Sequence, residues 1–173
     1  MNFYYNGTDI YNDVSVNYCV HEMFAEKQAD TLVIRFNDTK GIWSKWQPAA
    51  GDTVRFKEGA SDTGKMFVHS MKPENGLFTI RAMSMPKTAK IRKSKSWEGV
   101  RFLQLANEFA GNHGLAFKNY GCEDQVYPYI KQDNEGDFSL FSRLCMLEGC
   151  QMLIFDGSLL AYNEHYIEQQ EPA

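Results

Sequence analysis

Residues 66–82 read Met66-Phe67-Val68-His69-Ser70-Met71-Lys72-Pro73-Glu74-Asn75-Gly76-Leu77-Phe78-Thr79-Ile80-Arg81-Ala82. Asn-Gly adopts two successive positive φ angles at low cost, so Asn75-Gly76 predicts a tight hairpin turn. Phe78, Ile80 and Ala82 fall on one face of the returning strand, and Met66, Phe67, Val68 and Met71 supply the outgoing one. Working toward the N-terminus, Val54 and Phe56 follow Gly51-Asp52. Leu32, Ile34 and Phe36 alternate up to the turn at Asn37-Asp38-Thr39-Lys40-Gly41, and Val14, Val16, Tyr18 and Val20 alternate before them. Short strands at regular spacing with turns between them predict a small antiparallel β-barrel over residues 1–86, with no helix from Thr31 to Met83.

Working toward the C-terminus, the pattern stops at Met85-Pro86. Lys87, Lys90, Arg92, Lys93 and Lys95 then fall within nine residues without an acid, and residues 87–95 read as an exposed basic linker. From Ser96 the period changes to that of a helix. Ser96 is suited to cap it, Trp97-Glu98 fall in its first turn, and Val100, Leu103, Ala106, Phe109 and Ala110 form its stripe. Gly111-Asn112-His113-Gly114 stops it, and Leu115 and Phe117 suggest a short strand. A second helix is expected from Asp137, a good N-cap, with Phe138, Phe141, Leu144 and Cys145 on one stripe and Glu148-Gly149 at its end. Cys150 to Phe155 and Leu159 to Tyr162 read as strands around an Asp156-Gly157 turn. The fold class expected is therefore α+β: the barrel, then an α/β domain with two helices over 96–163, then a polar tail over 164–173.

The chain has 173 residues, 43% hydrophobic and 14% aromatic, with a formal net charge of −4. That balance does not suggest a dedicated nucleic-acid binder, and aromatic richness suits strands and interfaces. The start, Met1-Asn2-Phe3-Tyr4-Tyr5, lacks the basic and apolar segments of a secretion signal. Cys19, Cys122, Cys145 and Cys150 form no C-x-x-C pair, which fits buried thiols in a chain made in the cytosol.

Chemistry-bearing constellations are absent from the sequence. His21-Glu22 lacks the second histidine of a zinc-protease helix, since position 25 is alanine. His21, His69, His113 and His165 share no motif. Neither Cys19 with His21 nor Cys145 with Cys150 has a matching second ligand pair. No cofactor, no metal and no catalytic group is expected. The residues that suggest contact with a partner are Trp43 and Trp46, Lys87, Lys90, Arg92, Lys93, Lys95 and Trp97. Trp43 and Trp46, around a Ser-Lys dipeptide in a loop, either face a partner or plug the end of the barrel. The basic run either contacts phosphate or an acidic partner, or is a solvated crossing.

The order of these segments resembles the phage late control gene D family of contractile-tail hub proteins, whose fold type VI secretion spike proteins share. Residues 29–38, a Trp loop and Pro48-Ala49-Ala50-Gly51-Asp52-Thr53-Val54 look like its early barrel strands. Gly64-Lys65-Met66-Phe67-Val68 and Phe78-Thr79-Ile80-Arg81-Ala82 look like the closing pair. Lys95-Ser96-Trp97-Glu98-Gly99-Val100 and Gly136-Asp137-Phe138-Ser139-Leu140-Phe141-Ser142-Arg143-Leu144 resemble the starts of its two inserted helices, with Gly136 where relatives commonly carry serine. The resemblance implies a structural, non-enzymatic baseplate hub subunit. It would join tail tube to spike through a ring around an axial channel, in a virion assembled in the bacterial cytoplasm. Its partners would be tail tube, spike and other baseplate proteins, with a separate second-barrel subunit or further copies completing the ring and no membrane or specific nucleic acid involved. Two other classes stand as alternatives: a cell-wall hydrolase of a tail tip, and a carbohydrate-binding β-domain using the tryptophans.

Overall fold

A computed structural model describes residues 1–24 and 29–170, so positions 171–173 of the expected tail lie outside the described residues. The chain divides into two compact units, with the boundary between Lys87 and Thr88. Together they make an α+β fold.

The first unit holds eight strands: β1 (Asn2–Tyr5), β2 (Thr8–Asp9), β3 (Ser15–Glu22), β4 (Thr31–Asn37), β5 (Thr53–Glu58), β6 (Ser61–Asp62), β7 (Met66–Glu74) and β8 (Leu77–Met83). All pairings are antiparallel, in the order β2-β1-β5-β7-β8-β4-β3, with β6 on β5. The predicted hairpin is β7–β8, and Asn75 and Gly76 both take positive φ, 47° and 78°. Asn6-Gly7 turns β1 into β2 in the same way, at 47° and 84°. Pro73 sits beyond the two-residue stretch where β7 pairs with β5, where a missing N–H disrupts no second ladder.

The hydrogen-bonded path is open: among the described residues, β2 and β3 end it without pairing to each other. The sheet is nevertheless rolled. Four strand spacings separate β1 from β4, about 19 Å if the sheet were flat, yet the rings of Phe3 and Phe36 lie 5.3 Å apart. Inward residues of β1, β4, β5, β7 and β8 share one core, which includes Leu32, Ile34, Met66, Val68 and Ile80. One element departs from the sequence reading. Ile42–Trp46 forms a single-turn helix, α1, inside the segment expected to hold none. Asp38 Oδ1 accepts from the Ile42 N–H at 2.6 Å, and Gln47, at φ 51°, closes the turn on the Trp43 carbonyl.

The second unit holds β9 (Lys93–Arg101), α2 (Phe102–Asn112), β10 (Ala116–Tyr120), β11 (Val126–Glu135), α3 (Asp137–Leu147), β12 (Gln151–Phe155), β13 (Ser158–Tyr162) and α4 (Glu164–Glu168). Strands β9 and β11 pair as an antiparallel ribbon. The others form a sheet in the order β10-β13-β12, in which β10 runs parallel to β13. Both long helices end in the same motif. Leu115 N–H bonds the Ala110 carbonyl and Cys150 N–H bonds the Cys145 carbonyl, around Gly114 and Gly149 at positive φ. Phe141 of α3 stacks on Phe102 and meets Phe109 and Phe117 edge-on, joining the helices to the sheet.

The second unit departs from three expectations. Ser96 does not cap a helix: residues 93–101 are strand, and α2 begins at Phe102. The run 87–95 is not all linker, because Lys87–Lys90 is a 3-10 turn and Lys93 opens β9. The polar tail begins with α4, whose first turn Asn163 caps by accepting from the Tyr166 N–H.

Candidate assembly surfaces

Trp43 is a core residue with only 1% of its surface exposed. It stacks on Phe78 at 5.3 Å with the planes 5° apart, and packs against Phe36, Phe3 and Tyr5. It offers a partner nothing, which corrects its place among the contact candidates: the aromatic that plugs the rolled sheet cannot also be presented outward. Trp46 stands edge-on to Trp43 at 5.3 Å and is 45% exposed. Near this turn, Asp52 ties the N-terminal hairpin to the Gly-Asp turn. It accepts from the Tyr5 hydroxyl, the Asn6 amide and the Ala49 N–H.

The basic run separates into two groups. Lys87, Lys90 and Arg92 are exposed around Ile91, itself 55% exposed. Lys93 and Lys95 are engaged within the unit. Lys95 Nζ lies 2.6 Å from Glu108 Oε1 and 4.7 Å from the centre of the Trp97 ring. Trp97 donates its Nε1–H to Glu108 Oε2 at 3.0 Å and packs edge-on against Phe109. The two side chains thus hold β9 on α2.

Lys93 reaches inward to Asp137 Oδ2 at 3.0 Å. Asp137 is 1% exposed, and the donors around it come from every side. Gln132 donates to Oδ1 at 2.9 Å, and Asn112 to Oδ2 at 3.1 Å. His113 Nε2 lies 3.1 Å from Oδ2, and its Nδ1 lies 2.9 Å from Thr88 Oγ1. Burial pulls the Asp137 carboxyl upward, but the hydrogen bonds from Gln132, Lys93 and Asn112 outweigh it and hold its pKa below the usual range. Burial also lowers the pKa of His113, against the pull of the Asp137 carboxylate. The neutral ring then donates from Nε2 to Asp137 and accepts from Thr88 at Nδ1. This carboxylate joins β9, the end of α2, β11 and the start of α3. The sequence reading gave Asp137 a capping role, whereas its side chain turns inward. The signal was present: residues 137, 141 and 144 are spaced i, i+4, i+7, so Asp137 shares a face with Phe141 and Leu144.

The outward features are strand edges and apolar side chains. Among the described residues, the outer edge of β3 has no ladder partner over Ser15–Glu22. Tyr18 stands out from it, 49% exposed, with the Arg35 guanidinium 5.9 Å from its ring. Arg35, Lys72, Glu74 and Arg81 line a shallow groove on the outer face of the same sheet. On the second unit, Val126 and Tyr129 are half exposed on the ribbon, and Met146 and Leu147 project from the end of α3. Among the described residues, no three His, Cys, Asp or Glu side chains converge as a metal site would require, and no helix is long and apolar enough to cross a membrane.

No family model and no curated protein matches the chain. Solved structures do. The chain is similar to the 43 kDa tail protein of prophage MuSo2 from Shewanella oneidensis, at a TM-score of 0.63 and 15% identity, over 94% of this chain and 54% of that one. It is similar to a tail protein from Neisseria meningitidis MC58, at a TM-score of 0.65 and 12% identity, over 92% of this chain and 50% of that one. It is also similar to prophage tail protein gp18 from Listeria monocytogenes EGD-e, at 0.56 and 12%, over 87% and 46%. The chain spans about half the length of each, and its fold is the one that part of these tail proteins adopts.

Proposed function

We propose that this chain is a structural subunit of a phage tail or phage-tail-like particle, in the baseplate hub where tail tube meets spike. The observation that carries this reading is the extent of the match. One match takes in 94% of the chain, and so both the rolled sheet and the α/β unit, with a prophage tail protein. A small β-domain shared by chance would match one unit only. The likeness of the segment order to the late control gene D family supports the narrower assignment to a hub, and the free β3 edge supplies the means of assembly. A ring around an axial channel needs repeated rigid edges and no catalytic group.

In this reading the rolled sheet packs beside neighbouring sheets around the axis, and the second unit contacts other baseplate parts through its exposed apolar side chains. The tail proteins it resembles are about twice as long. The rest of the ring comes from further polypeptide, with three copies of this chain alternating with a second barrel, or from six copies of this chain. Assembly takes place in the host cytoplasm, with tube, spike and baseplate proteins as partners and no role in binding membrane or specific nucleic acid. A carbohydrate platform is disfavoured, because Trp43 is buried and Trp46 stands alone.

Native mass spectrometry of the isolated hub, with reconstruction of the particle, tests the proposal. A ring with three-fold or six-fold symmetry containing this chain supports it. A chain that stays monomeric at high concentration and occupies no ring in any particle overturns it. Lysis of purified cell walls that disappears on changing a single acid would instead favour a hydrolase.

A further inference from the structure

The arginines of the chain differ in whether they meet an acid. Arg55, Arg101 and Arg143 lie 2.6 Å, 2.6 Å and 2.7 Å from the carboxylates of Asp62, Asp124 and Glu135. Arg35 and Arg81 are exposed and have no carboxylate at ion-pair distance among the described residues. They stand on neighbouring strands. Arg35 of β4 is opposite Thr79 of β8, and Arg81 is opposite Val33, so the two cations are diagonal neighbours, with Cβ atoms about 7 Å apart. Both point away from the core, because the alternate residues Ile34, Ile80 and Ala82 are buried. Half-buried Val33 shares their face. The Tyr18 ring, 5.9 Å from the Arg35 guanidinium, steadies that side chain. The groove that the two arginines line holds one acid, Glu74, which Lys72 neutralises at 2.8 Å. In a chain of net charge −4, this outer face is a local excess of positive charge.

The second unit carries a complement to it. In α4 the Tyr166 ring seats against Gly121, where a side chain would not fit. The helical period then puts Glu164, Ile167 and Glu168 on the side away from Tyr166. Both glutamates are exposed, and Ile167 is 44% exposed. Glu168 meets His165 at 3.6 Å in open solvent. The Cβ atoms of Glu164 and Glu168, four residues apart on the helix, are about 6 Å from each other. Two acids beside an isoleucine thus match two arginines beside a valine, in charge and in spacing. We propose that α4 of one copy seats on the β4–β8 face of the next, with Glu164 and Glu168 on Arg35 and Arg81, and Ile167 on Val33. This rests on the proposed ring, in its six-copy form. A contact between two different faces repeats head to tail and closes into a ring where the rotation allows. Because β4 adjoins β3, the helix latches the joint beside the free edge. A contact of so few residues is weak in a single pair, but a closed ring holds every copy at both faces.

Two charge reversals test the contact: Arg35→Glu with Arg81→Glu, and Glu164→Lys with Glu168→Lys. All four side chains are exposed, so circular dichroism should be unchanged in both variants. Should a reversal perturb the fold, Arg35→Gln with Arg81→Gln removes the attraction more gently. Sedimentation of the unmutated chain over a concentration series should show self-association that weakens as salt rises. Each reversal alone should weaken it roughly 100-fold, because like charges then face each other. Mixing the two variants should restore it, and so should all four substitutions in one chain. A chain that is monomeric throughout, reversals that leave association unchanged, or a loss that neither mixing nor the four-substitution chain repairs overturns the proposal. Particle reconstruction separates this outcome from the tail reading. Reversed chains that still enter the ring, or a ring in which this chain alternates with a second barrel, remove α4 from the joint and leave the tail reading standing.

Discussion

Asp137 shows how much one residue can organise. Four donors from three segments point at its carboxylate. Asp137→Ala leaves Lys93, Asn112, Gln132 and His113 facing an empty space. It should cost about 3–5 kcal/mol in urea unfolding, as breaking a buried charged pair does; a loss below 1 kcal/mol would mean that water reaches the site. The pH dependence follows from the same contacts. His113 has a folded pKa below its ordinary value of 6.5, so as pH falls the unfolded chain takes up the proton first. The stability it contributes is complete above 6.5 and is lost as pH falls toward its folded value. Asp137 is also depressed, so its contribution is present above 3.8 and is lost as pH falls through its own lower value. The urea midpoint of the second unit should therefore decline below pH 6.5 and again below 3.8. His113→Gln should flatten the first decline only, and an unchanged slope between pH 7 and 5 in that variant would assign the effect elsewhere. Phe141, fully buried among Phe102, Phe109 and Phe117, carries the apolar side of the same unit. Phe141→Ala should lower stability by about 3–5 kcal/mol in the same assay.

At the scale of elements, the turns decide where strands reverse. Gly76, at φ 78°, has only Thr39 near its missing Cβ, at ordinary contact distance. Gly76→Ala therefore tests backbone strain rather than crowding, and should cost about 1–2 kcal/mol. Gly121 is the opposite case: a Cβ there would lie 2.3 Å from the Tyr166 ring, so Gly121→Ala should displace α4. Faster amide exchange at Tyr166 and Ile167, with α2 and α3 unchanged, is the expected reading. The hairpins were legible because Asn75-Gly76 and Asp156-Gly157 announce themselves chemically, and both helix ends were legible through Gly114 and Gly149. The ribbon was not. Strand β9 is exposed at most positions on both faces, so it has no alternation to read, and Val100 fell into register with the stripe of α2. Strand β11 carries Pro128 and five polar residues from Lys131 to Glu135, a composition that reads as loop until a partner strand is supplied. The candidate surface was legible in part. The basic run was visible, but Lys93 reaches the buried Asp137 and Lys95 pairs with Glu108, acids more than a dozen positions away.

At the scale of the whole molecule, the open path of the first sheet is the feature that an assembly can use. Among the described residues, the eight residues of β3 present one unpaired edge, whereas the other end of the path is the two-residue β2. An unpaired edge of that length is a template for another strand unless it is blocked. The register shift between Val16 and Tyr18 is the visible protection, since a bulge interrupts flat pairing without abolishing it. If this edge carries the ring, charge placed on it should separate assembly from folding. Tyr18→Lys combined with Val20→Lys alters side chains outside the buried core, so circular dichroism and the melting midpoint of the isolated chain should change little. Native mass should shift from the ring to the monomer, and particles complemented with the variant should lack a complete baseplate. If the variant still enters the ring, the joint lies elsewhere. The exposed apolar side chains of the second unit, Met146 and Leu147 first among them, then become the surface to change.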